Sequence, residues 1–141
     1  MPASPSLLSP DWIAMVAGGV STIASSCDAA LRPSLMRAVG STISADGCTI
    51  TIFLARRQSR KLLQDLSTTG RIAVVFSQPS SHRTLQVKAN RVQVRPMEAA
   101  DHPLLDRYLL AMVQELIAVG VEPLLTRAML AHTPDDVVAI R

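Results

Sequence analysis

The chain has 141 residues, 48% of them apolar and only 18% charged, with a net charge of +3. That length holds one domain with a real core, and the apolar excess favours burial in a subunit interface, so a homodimer is expected before any motif is read. No run approaches the roughly 18 apolar residues of a membrane span, and four aromatics are too few for a surface that stacks nucleic-acid bases. The Pro- and Ser-rich start carries no Lys or Arg in its first eleven residues and so lacks the basic head of a secretory signal. The sequence therefore reads as cytoplasmic, with neither a membrane nor a nucleic acid as partner. Cys27 and Cys48 form no CxxC pair, and with His82, His102 and His132 scattered no metal-ligand spacing exists.

In chain order, residues 1–11 read as a flexible leader. A short helix follows, capped near Ser9 and carrying Trp12, Ile13 and Val16, and Gly18-Gly19 stops it. Residues 20–27 read as a first strand. Asp46-Gly47 then separates two runs of β character, Ser34 to Ser44 and Cys48 to Ala55. Asp-Gly tolerates the positive φ of a tight turn, so a hairpin is expected there. Ser59 has the place of a helix N-cap, Leu62, Leu63 and Leu66 supply an apolar stripe, and Gly70 ends the element.

Ile72 to Phe76 is a wholly apolar strand. The next, Leu85 to Val94, changes phase midway: Leu85, Val87 and Ala89 are odd, Val92 and Val94 even. A strand that keeps one face buried can do so only by bending near Asn90. A long helix is expected from Asp101 to Val119, with Pro103 in its first turn and Gly120 just past its end. Val137 to Ile140 reads as a final strand. Strands clustered in residues 20–95 with hairpin logic, and helices outside them, predict an antiparallel barrel with helices at its rim.

The chemistry-bearing segment is Arg56-Arg57-Gln58-Ser59-Arg60-Lys61, four basic residues in six positions where a strand gives way to a helix. A helix start exposes unpaired N–H groups and partial positive charge, so bare cations there oppose the dipole unless an anion offsets them. The pattern fits a phosphate site, and equally a solvated charge run. Arg37, inside its strand, is a second phosphate candidate because a guanidinium suits bidentate binding. His82-Arg83-Thr84 fits an anionic substrate or a surface loop. No Ser-His-Asp order, carboxylate pair or Gly-rich phosphate loop is present.

A strand with a central Arg, a hairpin, a strand running into a Ser-Arg-Lys helix start, an apolar strand ending in Phe and an Arg-led strand together resemble the pyridoxamine 5′-phosphate oxidase-like, FMN-binding split-barrel family. The resemblance covers about Ser21 to Val94. It implies one domain over residues 1–141, mainly β with flanking helices. The fold it implies is a six-stranded antiparallel split β-barrel, homodimeric, with FMN in the dimer interface and a long rim or interface helix over 101–120.

Carried over residue by residue, the Arg strand implies FMN contacts at Arg37, Ala38, Val39 and Thr42, and the next strand end implies them at Leu54 and Ala55. The helix start implies phosphate binding by Arg60 and Lys61 with Ser59 as cap, and Thr84 falls where a residue reaches the flavin ring from the other subunit. Thr42 stands where the oxidase has Lys and Thr84 where Gln is expected, and the oxidase's C-terminal pyridoxal-phosphate segment has no counterpart. The resemblance is thus to an oxidase-related member, not the oxidase itself. The implied function is an FMN-binding oxidoreductase acting on a small-molecule substrate. The alternative is a non-catalytic protein that binds or senses flavin, deazaflavin or haem on the same fold.

Overall fold

Burial along the first strand alternates strictly, Thr22, Ala24 and Ser26 inward and Ser21, Ile23 and Ser25 half-exposed. This is the period-2 pattern of a sheet with one face in a core. The computed structural model describes residues 5–141. It is mainly β, with eight strands in two antiparallel four-stranded sheets and four α-helices. The strands are β1 (Ser21–Cys27), β2 (Pro33–Arg37), β3 (Gly40–Ile43), β4 (Ile50–Ala55), β5 (Ile72–Ser77), β6 (Thr84–Ala89), β7 (Val94–Pro96) and β8 (Val137–Ile140). The helices are α1 (Pro10–Ala17), α2 (Arg60–Thr69), α3 (His102–Ile117) and α4 (Pro123–Met129).

Sheet one has the order β2-β1-β5-β6 and sheet two β3-β4-β8-β7. Each edge strand of sheet one runs on into an edge strand of sheet two, β2 into β3 across Ala38-Val39 and β6 into β7 across residues 90–93. Two strands expected to be continuous are thus each divided between sheets. The single run Ser34 to Ser44 is corrected to two strands, and the bend expected near Asn90 is the place where the chain passes from β6 of sheet one to β7 of sheet two. The hairpin at Asp46-Gly47 stands as expected: β3 pairs with β4, Gly47 has φ +71°, and its N–H donates to the Ser44 carbonyl. Cys48 is exposed beside this turn and Cys27 half-buried, so neither thiol is a core residue.

The main core lies between the sheets. Ile52, Leu54, Val74 and Phe76 meet there with Met15 and Val16 of α1, Leu62 and Leu66 of α2, and Tyr108 and Met112 of α3. A second cluster, Val39, Phe53, Ala55, Val137 and Ala139, is covered by Leu105 of α3 on the far side of sheet two. The Tyr108 hydroxyl donates to the Val20 carbonyl at 2.7 Å, next to a Thr22–Ser41 hydroxyl pair at 3.0 Å, and burial pushes the phenol upward. This bond fixes α3 against the start of β1.

Ser59 holds the N-cap position of α2 but does not cap it. Its φ of −103° and ψ of 14° are not extended, and its hydroxyl is buried with no partner among the described residues. The chain already turns at Arg56, with the Ser59 N–H donating to the Ala55 carbonyl, so the side chain cannot reach the first-turn amides. Asp136 serves the turn instead, its carboxylate accepting from the Arg57 N–H at 3.1 Å. The expected leader 1–11 lies partly outside the described residues. Of the rest, Pro10 and Asp11 open α1, and Ser6 Oγ donates to the Gly47 carbonyl.

Gly18 and Gly19 have different jobs. A Cβ on Gly19 would lie 2.6 Å from the Ala111 carbonyl oxygen of α3, whereas one on Gly18 would be 3.5 Å from its nearest neighbours. Gly19→Ala should therefore lose roughly 1–3 kcal/mol of stability to overpacking against a backbone that cannot step aside. Gly18→Ala should stay within about 0.5 kcal/mol of the native protein. Urea denaturation of the pair checks this, and equal midpoints would refute the close approach.

Candidate functional site

Pairing registers put Ser21, Ser77 and Thr84 in one row across β1, β5 and β6. The neighbouring row runs Arg37, Ile23, Val75, Gln86. Because the alternate residues of β1 and β5 are buried between the sheets, both rows lie on the outer face of sheet one. No residue of this face belongs to either core cluster, while the outer face of sheet two is covered by α3. Among the described residues, nothing packs over the outer face of sheet one, which is the bare one.

Arg37 and Thr84 share that face from opposite edges, three strand spacings or about 14 Å apart. Arg37 Nη1 donates to Ser21 Oγ at 2.7 Å, and the guanidinium makes no ion pair among the described residues. Thr84 Oγ1 is within 2.9 Å of Ser77 Oγ. No carboxylate stands on the strands that build this face. Arginine, hydroxyls and half-exposed apolar side chains thus share a flat surface that can receive an anionic ligand with a planar apolar part.

The other candidate residues do not converge on it. Ala38, Val39, Leu54 and Ala55 are buried in the core of the chain itself. The amides of Ala38 and Val39 are already spent on the carbonyls of Thr22 and Phe53, both at 2.8 Å. Thr42 lies under α3, lining a cavity of about 70 Å³ with Ser41, Arg107 and Tyr108.

At the start of α2 the basic residues divide. The Lys61 ammonium bonds the buried carboxylate of Asp65, which also accepts from Ser34 Oγ at 2.7 Å, and it lies 3.9 Å from Asp28. Hydrogen bonds from Lys61 and Ser34 hold the Asp65 carboxyl below its ordinary 3.8. Arg57 faces Asp136 at 3.7 Å. Arg56 and Arg60 are exposed and make no ion pair among the described residues. Ser34 precedes Arg37 by three residues, about 10 Å along β2, and Arg37 reaches the other way, toward Ser21. Lys61 and Arg37 therefore do not point to one spot.

Sequence reasoning missed Ser21 and Ser77, although β1 alternation alone places Ser21 outward. It also missed Asp65 as the partner of Lys61, although the i,i+4 spacing was visible. The described residues contain no group of three or more His, Cys, Asp or Glu able to hold a metal, and none of their helices is long and apolar enough to cross a membrane.

No protein-family model matches the sequence, and no curated protein matches it. Solved structures do resemble it. A protein from Lactobacillus delbrueckii, provisionally assigned as a pyridoxamine 5′-phosphate oxidase, superposes with a TM-score of 0.55 at 11% identity, covering 99% of this chain and 90% of that one. A conserved hypothetical protein from Mycobacterium tuberculosis gives 0.54 at 11%, covering 100% and 83%. HupZ from Group A Streptococcus gives 0.52 at 11%, covering 95% and 87%. At such identity the likeness shows the fold alone, and that fold is the pyridoxamine 5′-phosphate oxidase-like one.

Proposed function

We propose that this chain is an FMN-binding protein of the pyridoxamine 5′-phosphate oxidase-like class, a cytoplasmic homodimer acting as an oxidoreductase on a small-molecule substrate. In this reading the two sheets, joined through β2–β3 and β6–β7, make a six-stranded split barrel. The observation that carries the proposal is the bare outer face of sheet one, where Arg37 stands free of carboxylates beside a row of hydroxyls. The fold raises the expectation of a flavin; fold alone does not assign a function.

The residues on this face suit FMN. The Arg37 guanidinium binds the phosphate, and Ser21 holds that guanidinium in place. Half-exposed Ile23 and Val75 offer an apolar bed for a ring system. Two copies packed through this face about a twofold axis parallel to the strands set the Arg37 edge of one against the Thr84 edge of the other. Thr84 then serves the site of the second copy, and pairing also covers the apolar part of the face. Arg60, exposed on the first turn of α2, adds positive potential. FMN, when bound, supplies hydride and electron transfer, and the chain supplies position and electrostatics.

Losing one charge-assisted contact to phosphate costs on the order of 1.5–3 kcal/mol. Arg37→Ala should therefore weaken FMN roughly 10- to 100-fold while leaving riboflavin, which lacks the phosphate, nearly unchanged. Fluorescence titration of both flavins measures this, and light scattering with FMN present should give the mass of a dimer. Equal binding of FMN and riboflavin to the native chain, or a monomer at micromolar concentration, would overturn the proposal.

Lys61→Ala should read out differently, because its ammonium is engaged by Asp65. A carboxyl held below 3.8 stabilises the fold above about pH 4, and that contribution is lost as pH falls through its lowered value. The variant should therefore melt lower than the native protein at pH 7, with the gap closing in acid as Asp65 protonates. Its FMN affinity should change only a few-fold. A tenfold loss of FMN binding with unchanged melting would place Lys61 on the phosphate instead.

A further inference from the structure

Between α2 and the β6–β7 crossing lies a groove of about 640 Å³. Its floor is apolar, formed by Leu63 and Leu66 of α2 with Val92 of the crossing and Val138 of β8, and its walls carry Arg56, Arg91 and Arg95. No Asp or Glu lines it. Arg95 is spent on structure: it makes a two-pronged bond to the buried carboxylate of Asp101 at 2.7 and 2.9 Å. Arg56 and Arg91 are exposed and make no ion pair among the described residues. The adjoining groove shares Arg91 and adds Lys88, again with no Asp or Glu side chain in its lining. Two unpaired guanidiniums thus stand over an apolar trough inside a wider positive field.

We infer that this groove is a second binding site, distinct from the bare face of sheet one, for a small amphipathic anion: one carboxylate, sulfonate or phosphate head on an apolar body. The volume falls within the roughly 300–1,000 Å³ of small-molecule pockets, which are mostly apolar with a few placed polar groups. The uncompensated charge of Arg56 and Arg91 selects the head, since a guanidinium pairs with such oxyanions through two parallel hydrogen bonds. The floor of Leu63, Leu66, Val92 and Val138 selects the body. No aromatic lines the groove, so it offers nothing for a nucleic-acid base to stack on.

The test uses anilinonaphthalene sulfonate as the anionic probe and N-phenylnaphthylamine as its uncharged counterpart, titrated by fluorescence into the full chain. The native protein should bind the sulfonate saturably, one per chain, and less tightly as salt rises. The double variant Arg56→Ala/Arg91→Ala should bind it at least about tenfold more weakly while keeping the native melting temperature, since both residues are exposed. N-phenylnaphthylamine should bind the native protein weakly and be indifferent to that change. Ser67→Trp, from an exposed position on the groove wall, should block the sulfonate without touching either arginine. Saturating FMN and the Arg37→Ala change should each leave sulfonate binding as it was, and the double variant should bind FMN like the native chain. Unchanged sulfonate affinity in the double variant or in Ser67→Trp would overturn the inference. Displacement of the dye by FMN would also overturn it, by moving the dye to the face of sheet one.

Discussion

Ala38 and Val39 are consecutive, yet their amides serve different sheets. The Ala38 N–H donates to Thr22 of β1 in sheet one and the Val39 N–H to Phe53 of β4 in sheet two. Both residues are buried, so an unpaired amide at either would cost roughly 1–3 kcal/mol. The chain can leave one sheet for the other here because each amide finds a carbonyl on its own side of the step. Everything around the site follows from this crossing. It ends β2 at Arg37 with the guanidinium outward, and it starts β3 at Gly40, where the absence of a side chain lets Leu105 of α3 come down on sheet two.

The crossing also explains why the two outer faces have different fates. Sheet two receives α3 through Leu105, and its outer residues Phe53, Val137 and Ala139 are apolar and buried. Among the described residues no helix covers the outer face of sheet one, and its outer residues are serines, a threonine, a glutamine, an arginine and a lysine among a few aliphatic side chains. A β-sheet with both faces covered reads as continuous apolar sequence, and one with a single covered face alternates. The contrast between Val137–Ile140, all buried, and Ser21–Cys27, alternating, is that rule at work in one chain.

Much of the fold was legible because local chemistry agreed with it. Asp46-Gly47 demanded a turn, Gly70 and Gly120 took positive φ just past helices, and the phase change at Asn90 could mean only a redirection of the strand. The division of Ser34–Ser44 was not legible. Residues 35–39 are apolar or cationic on both sides of the break, so no change of period marks it, and only the distant carbonyls of Thr22 and Phe53 decide where the strand changes sheet. Helix α4 left a signal, Pro123 at its first position, but Leu124 and Leu125 are exposed and gave no apolar stripe to read. Of the candidate site, Arg37 and Thr84 were named through the family resemblance, and it is the pairing register of the structure that puts them on one face. Ala38, Val39, Leu54 and Ala55 are packed inside the chain, which no local pattern distinguishes from lining a ligand.

The basic cluster shows how far a sequence mismatch carries. Four cations at a strand-to-helix junction call for anions, and the fold supplies two from its own chain. Asp136, nearly eighty residues on, accepts from the Arg57 amide, and Asp65, one helical turn on, takes the Lys61 ammonium. Neither partner is adjacent in sequence to the charge it meets, so the cluster reads as more naked than it is. After these pairings the cluster's own surplus lies on separate surfaces: Arg60 at the helix start, and Arg56 beside Arg91 over the α2 groove, with Arg37 apart from both on the bare sheet. A cluster that reads as one anion site in one dimension is, in three, a structural ion network with its surplus displaced to either side. It is this surplus, at sites the chain's own carboxylates do not reach, that is left to bind anions from outside.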